Sequence, residues 1–146
     1  MAQFGRPSAD TSIGTYTDQA DGTTNIYTTI DEVSASDADY IKSVAAPSTA
    51  PYVTALSTLE DPVSSSGHVV RYQYAKDASG GAGIDLVVQL RQGYVNEGTP
   101  GTLIASNTHA GITNTFTAGS FTLSGAEADA ITDYTSLFLR FTFNQV

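Results

Sequence analysis

The stretch Ile84-Asp85-Leu86-Val87-Val88-Gln89-Leu90-Arg91 decides the fold. Ile84, Leu86, Val88 and Leu90 recur at every second position, and Asp85, Gln89 and Arg91 fall between them. Successive side chains of a strand point to opposite faces, so this period of two describes a strand with one dry face. In Leu137-Phe138-Leu139-Arg140-Phe141-Thr142-Phe143 every odd position is large and apolar, and Arg140 is turned to the other side. Val70, Tyr72 and Tyr74 likewise alternate with Arg71 and Gln73. Strands dry on one face need a second layer to cover them.

Outward from these runs, short clusters of β-branched and aromatic residues recur between turn-forming segments, giving about eight predicted strands. They lie at residues 26–30, 40–44, 52–59, 68–76, 84–92, 102–108, 114–122 and 136–143. The glycine-rich loop 77–83 is expected to join two of them as a hairpin. Ser124-Gly125-Ala126-Glu127 has the spacing of a capping box and predicts one short helix running to Ile131. The expected fold is therefore all-β, a jelly-roll-like antiparallel β-sandwich, with an immunoglobulin-like sandwich as the second choice. Residues 26–146 form that single domain, and residues 1–25 read as an extended N-terminal arm without periodicity. Phe4, Ile13 and Tyr16 are the arm's apolar contacts, either on this domain or on a neighbour. Removing residues 1–24 is expected to leave the sandwich folded.

Composition narrows the chemistry. A chain of 146 residues suits one domain, and with no cysteine the fold stands on packing rather than on disulfides. Fifteen acids against six bases give a formal charge of -9, which disfavours nucleic acid, since phosphates need basic partners. About a quarter of the residues are Ser or Thr, a composition suited to strands and turns. No apolar stretch is long enough to cross a bilayer, so no membrane is expected. The N-terminus MAQFGRPSAD shows neither a basic leader nor an apolar signal core, so export by that route is not expected.

Candidate sites are few. A hydrolytic triad needs a histidine base beside a nucleophile, but His68 begins a strand, His109 lies in a turn-rich segment, and no G-x-S-x-G occurs. No phosphate-binding glycine loop or H-E-x-x-H motif is present either, so no enzyme and no catalytic residue is expected. Asp31, Glu32, Asp37 and Asp39 crowd into nine residues, which suits calcium or, more plainly, a solvated acidic loop in which Asp37 caps a turn; no cofactor is assigned. Arg71, Gln73, Gln89, Arg91 and Arg140 alternate with core residues, so they occupy the non-core faces of their sheets. Such faces are solvated or internally bonded, or they dock an acidic partner, or they bind a small ligand. Tyr16, Tyr27, Tyr52 and Tyr94 near turns and strand starts offer aromatic faces for a sugar, which makes a carbohydrate-binding module the rival reading.

Four segments carry a further likeness: Gly67-His68-Val69-Val70-Arg71-Tyr72, Leu90-Arg91-Gln92-Gly93, Ala128-Asp129-Ala130-Ile131-Thr132-Asp133-Tyr134 and Leu137-Phe138-Leu139-Arg140-Phe141. With Arg6-Pro7-Ser8-Ala9-Asp10 and Asp37-Ala38-Asp39-Tyr40-Ile41, the chain resembles small β-sandwich virion structural proteins of tailed bacteriophages. Residues 94–101 depart from that pattern and lengthen one hairpin. The resemblance implies a capsid decoration, or cement, protein made in the host cytoplasm and carried on the capsid surface. Its partners would be the major capsid protein and copies of itself. Phe4, Arg6, Ile13, Tyr16, Arg71, Arg91 and Arg140 are then the expected partner-binding residues.

Overall fold

The structure is a computed structural model that describes residues 2–48, 50–79 and 82–146. Its strands, in chain order, are β1 (Pro7–Ser12), β2 (Thr17–Asp18), β3 (Ile41–Lys42), β4 (Pro51–Leu56), β5 (Val69–Tyr74), β6 (Ile84–Gln92), β7 (Thr102–His109), β8 (Thr117–Thr122) and β9 (Leu137–Gln145). A 3-10 turn covers Ile26–Thr29, and a short helix α1 covers Gly125–Asp129. A five-stranded sheet runs β1-β4-β9-β6-β7, and β5-β8 and β2-β3 form two-stranded sheets. All pairings are antiparallel. The all-β sandwich expected from the sequence is present, with layers of five and two strands that leave jelly-roll connectivity unassigned.

The alternating runs form the centre of this arrangement. β6 and β9 pair without a break from Ile84↔Gln145 to Gln92↔Leu137, so Leu86 faces Phe143, Val88 faces Phe141 and Leu90 faces Leu139. Directly opposed residues share a face, and these rows make the dry side of the large sheet. The β5–β8 pair stacks on it through Tyr72, whose ring lies 6.4 Å from Phe141, 6.3 Å from Phe121 and 5.7 Å from His109. Gly119 sits opposite Tyr72, and a Cβ there would run into the tyrosine ring, so the close approach of ring and strand requires glycine. Leu86 and Val88 are at most 1% exposed. Burial of such a side chain contributes roughly 1.5–3 kcal/mol.

A second core of Tyr16, Ile26 and Tyr52 is organised by one carboxylate from β1. Asp10 accepts from the main-chain N–H of Ile26 at 2.7 Å, from that of Tyr27 at 2.9 Å and from the Tyr52 hydroxyl at 2.8 Å. This explains why residues 26–30, expected as a strand, form a 3-10 turn instead. Asn25 enters it in the left-handed region, and the donors a strand would present to a neighbour are held by Asp10.

One other expectation is corrected. Loop 77–83 does not close a hairpin: β5 pairs with β8, and Lys76 N–H bonds to Thr113 C=O. Both β5 and β6 have a dry face, and stacking them in opposite layers buries both. Gly80 and Gly81 of that loop lie outside the described residues. Of the two docking alternatives left open for the N-terminal segment, residues 7–18 take the one on this domain. Pro7–Ser12 is the edge strand β1 on β4, and Tyr16 is 2% exposed, so this segment docks on its own domain. The predicted helix does form, with both halves of the Ser124–Glu127 capping box in place, but it ends at Asp129.

Candidate docking site

The outward face of the large sheet is the first place to look, because Arg91 and Arg140 both stand there. Loop 93–101 folds back over that face and engages both. Tyr94 is 4% exposed, with its ring 5.9 Å from Phe138. Its hydroxyl donates to Glu97 Oε1 at 2.8 Å. Glu97 in turn accepts from Arg140 Nε at 3.1 Å and Nη2 at 2.7 Å, a forked ion pair. Arg140 Nη1 also donates to Thr142 Oγ1 at 2.8 Å. Arg91 donates to Gln89 Oε1 at 2.9 Å and to the Pro100 carbonyl at 3.0 Å. Gly101 closes the loop at φ +66, where a Cβ would collide with the carbonyl of Gln92.

Electrostatics follow that geometry. The Arg140 guanidinium holds the Glu97 carboxyl below the usual carboxylate range. Burial, and then the Glu97 carboxylate, push the Tyr94 hydroxyl up. Burial and the neighbouring Arg140 charge lower Arg91. These arginines hold a loop onto its own sheet, which is the internally bonded alternative left open by the sequence. Both Arg91 and Arg140, expected as partner-binding residues, have these partners within the chain.

The other candidate residues divide similarly. His68 Nε2 meets the Tyr134 hydroxyl at 2.8 Å. His109 bonds the hydroxyls of Tyr72 at 2.7 Å and Tyr74 at 3.0 Å. Both histidines are therefore partnered by phenols, and the His109 contacts tie β7 to β5 across the two layers. Among the described residues, no three His, Asp or Glu side chains gather where they could hold a metal ion. In the acidic loop, Ser36 rather than Asp37 makes the turn, accepting from the Ala38 N–H at 3.2 Å. Of the four tyrosines offered by the rival sugar-binding reading, Tyr16, Tyr52 and Tyr94 are 2%, 1% and 4% exposed and Tyr27 is half-buried. Burial, and next the Asp10 carboxylate, push the Tyr52 hydroxyl far above the ordinary tyrosine range. Ile13, half-buried, packs beside Tyr16 in the second core, and the Tyr16 hydroxyl accepts from the Phe143 N–H at 3.3 Å.

Phe4, Arg6 and Arg71 are the candidates left facing outward, and all three line one cleft of about 1900 Å³. The cleft lies between β5 and the dry face of the large sheet, where Leu56, Leu139, Phe141 and Phe143 line it. The elements packed on that face, the β5–β8 pair and the Tyr16–Ile26 cluster, bury most of it but leave Leu56, Phe141 and Phe143 half-buried at the cleft. Exposed Phe4, Val33 and Val44 lie along it. Arg6 donates to the Glu32 carbonyl and stands 5.6 Å over the Phe4 ring. Arg71 is exposed on β5. Sequence reading missed this cleft, since alternation marks the dry face of a strand but not how far another element covers it. No protein-family model, curated protein or solved structure matches the chain.

Proposed function

We propose that this chain is a non-enzymatic, adhesive protein of the tailed-bacteriophage virion, a capsid decoration protein that binds the assembled head and braces it. The cleft is the observation that carries this reading. At about 1900 Å³ it exceeds the roughly 300–1,000 Å³ of a small-molecule pocket, and it is bordered by exposed apolar side chains that a monomer in water gains nothing by displaying. Such a surface suits another protein. The segments that resemble small phage virion proteins support the choice of partner: the major capsid protein, with copies of this chain on neighbouring sites.

The physical mechanism is repeated burial. Each copy covers apolar surface at modest affinity, and many copies on a closed shell together oppose the pressure of packaged DNA. Residues 7–18 belong to the body of the domain, so bridging falls to the cleft and to Phe4 at its edge rather than to a free arm. The test uses particles whose genome encodes this chain. Their protein inventory should contain it in many copies, and particles made without it should rupture sooner on heating or osmotic shock. Particles that lack the chain by mass spectrometry, or that survive equally well without it, overturn the reading.

A further inference from the structure

The geometry points to a vacant strand position beside β5, filled by an extended polypeptide segment of a partner that alternates apolar with acidic side chains. All six residues of β5 line the cleft, as do Ala118, Gly119 and Ser120 of β8, and β5 pairs with β8 alone, so its other edge is free among the described residues. The edge is chemically unsatisfied. In an antiparallel pair only alternate residues exchange main-chain bonds with the neighbour. Leu123 N–H bonds to His68 C=O, and the β5–β8 register carries that phase forward, so Val70, Tyr72 and Tyr74 bond to β8. Val69, Arg71 and Gln73 turn their N–H and C=O groups to the cleft, and no hydrogen bond among the described residues reaches those groups.

These unpaired groups select the class of occupant. A lipid or an apolar small molecule would leave them without partners, whereas an added strand pairs with all of them. Its side chains opposite Val70 and Tyr72 would fall toward Leu56 and Phe141, half-buried apolar side chains of the large sheet that line the cleft. Its alternate side chains would share the outward face of Arg71.

Charge completes the assignment. Arg6, Lys42, Arg71 and Lys76 line the cleft together with Glu32, Asp39, Glu60 and Asp77, so its lining is neutral, and the chain's formal charge of -9 falls on the residues outside it. An acidic segment is repelled by the rest of this surface and accepted here. Arg6 and Lys42 are engaged, with the Glu32 carbonyl and with Asp21, while Arg71 makes no ion pair among the described residues and stands where an acidic side chain of the added strand would lie.

The probe is a displayed library of random peptides of about twelve residues, enough to span β5 at about 3.3 Å per residue, panned against the full chain. The expected winners alternate apolar and acidic residues. On binding, the amides of Val69, Arg71 and Gln73 should shift in the NMR spectrum and gain protection from exchange. Gln73→Pro removes one unpaired donor at an edge position that tolerates proline, so the variant should keep the parent melting temperature yet bind the selected peptides at least about tenfold more weakly. Arg71→Glu, an exposed change, should also weaken them. No enrichment over a blank surface, winners without alternation, or peptides that bind Gln73→Pro as well as the parent would each overturn the assignment. Should Gln73→Pro not fold, the amide shifts and Arg71→Glu decide. The result is independent of the virion reading, which particle composition tests separately.

Discussion

Replacing Asp10 by alanine is the sharpest test of how this domain is held together. The carboxylate is the common acceptor for Ile26 N–H, Tyr27 N–H and the Tyr52 hydroxyl, at 2.7, 2.9 and 2.8 Å. Ile26 and Tyr52 are 0% and 1% exposed, so donors abandoned there cannot all turn to water. Each hydrogen bond to a charged acceptor is worth about 1.5–3 kcal/mol. The three share one acceptor and are not additive, so the expected loss for Asp10→Ala is about 3–5 kcal/mol rather than the simple sum. For a domain of this size that lowers the melting temperature by roughly 10 °C. Tyr52→Phe removes one donor and leaves the carboxylate two partners, so about 1 kcal/mol should suffice. In the Asp10→Ala background the same change should cost almost nothing, because the hydroxyl is already orphaned. Urea unfolding of the four proteins in this cycle gives the coupling directly. A loss below about 0.5 kcal/mol for Asp10→Ala, or strict additivity of the two changes, would refute the account of Asp10 as the organiser of the second core.

Other outcomes follow from named contacts. Deleting residues 2–24 removes β1 and uncovers Tyr52 and Ile26, so the shortened chain should lose cooperative unfolding by circular dichroism; a sharp transition near that of the full chain would return the segment to the status of an arm. Gly101→Ala places a side chain against the Gln92 carbonyl at positive φ and should cost at least about 2 kcal/mol in chemical denaturation. Glu97 is held below the ordinary carboxylate value by Arg140, so its contribution is present above the unfolded value near pH ~4.3 and is lost as pH falls through the lower folded one. Its side chain is 46% exposed, so Glu97→Gln should cost no more than about 1 kcal/mol at pH ~7, and the gap to the parent should close toward pH ~3. Ser124→Ala removes the N-cap of α1 and should cost about 1 kcal/mol by thermal melting.

What the sequence made legible follows from where side chains carry the information. β6 and β9 were plain because a period of two with a dry face is enforced by packing, and the capping box was plain because its two residues act locally. β1 was not, since Pro7–Ser12 contains almost no apolar residue and is held as an edge strand by main-chain pairing with β4. The segment Ile26–Thr29 misled for the opposite reason: its β-branched and aromatic residues favour a strand, but a carboxylate distant in sequence takes its first amides. Arg91 and Arg140 could be assigned to a sheet face by alternation. Only the folding back of loop 93–101 shows that this face is covered by the chain's own Glu97 and Tyr94.

The cleft is the hardest feature to see in a sequence, because it consists of a strand that is not there. Each residue lining it obeys ordinary rules: Leu139 and Phe141 face inward, Arg71 faces outward, and Tyr72 covers Gly119. What departs from the rules is the edge of β5, which no other strand pairs among the described residues. Where β5 ends its layer, half-buried apolar side chains of the large sheet and an unpaired hydrogen-bonding edge meet at the same place. Either cost alone has simple remedies, a charged side chain for the area or a proline for the edge. β5 has no proline, and the part of the sheet next to it presents Leu56 and Phe141 rather than charges. Two coincident deficits that one extended segment would remove together are the physical ground for treating this edge, rather than the arginine-bearing face, as the working surface of the protein.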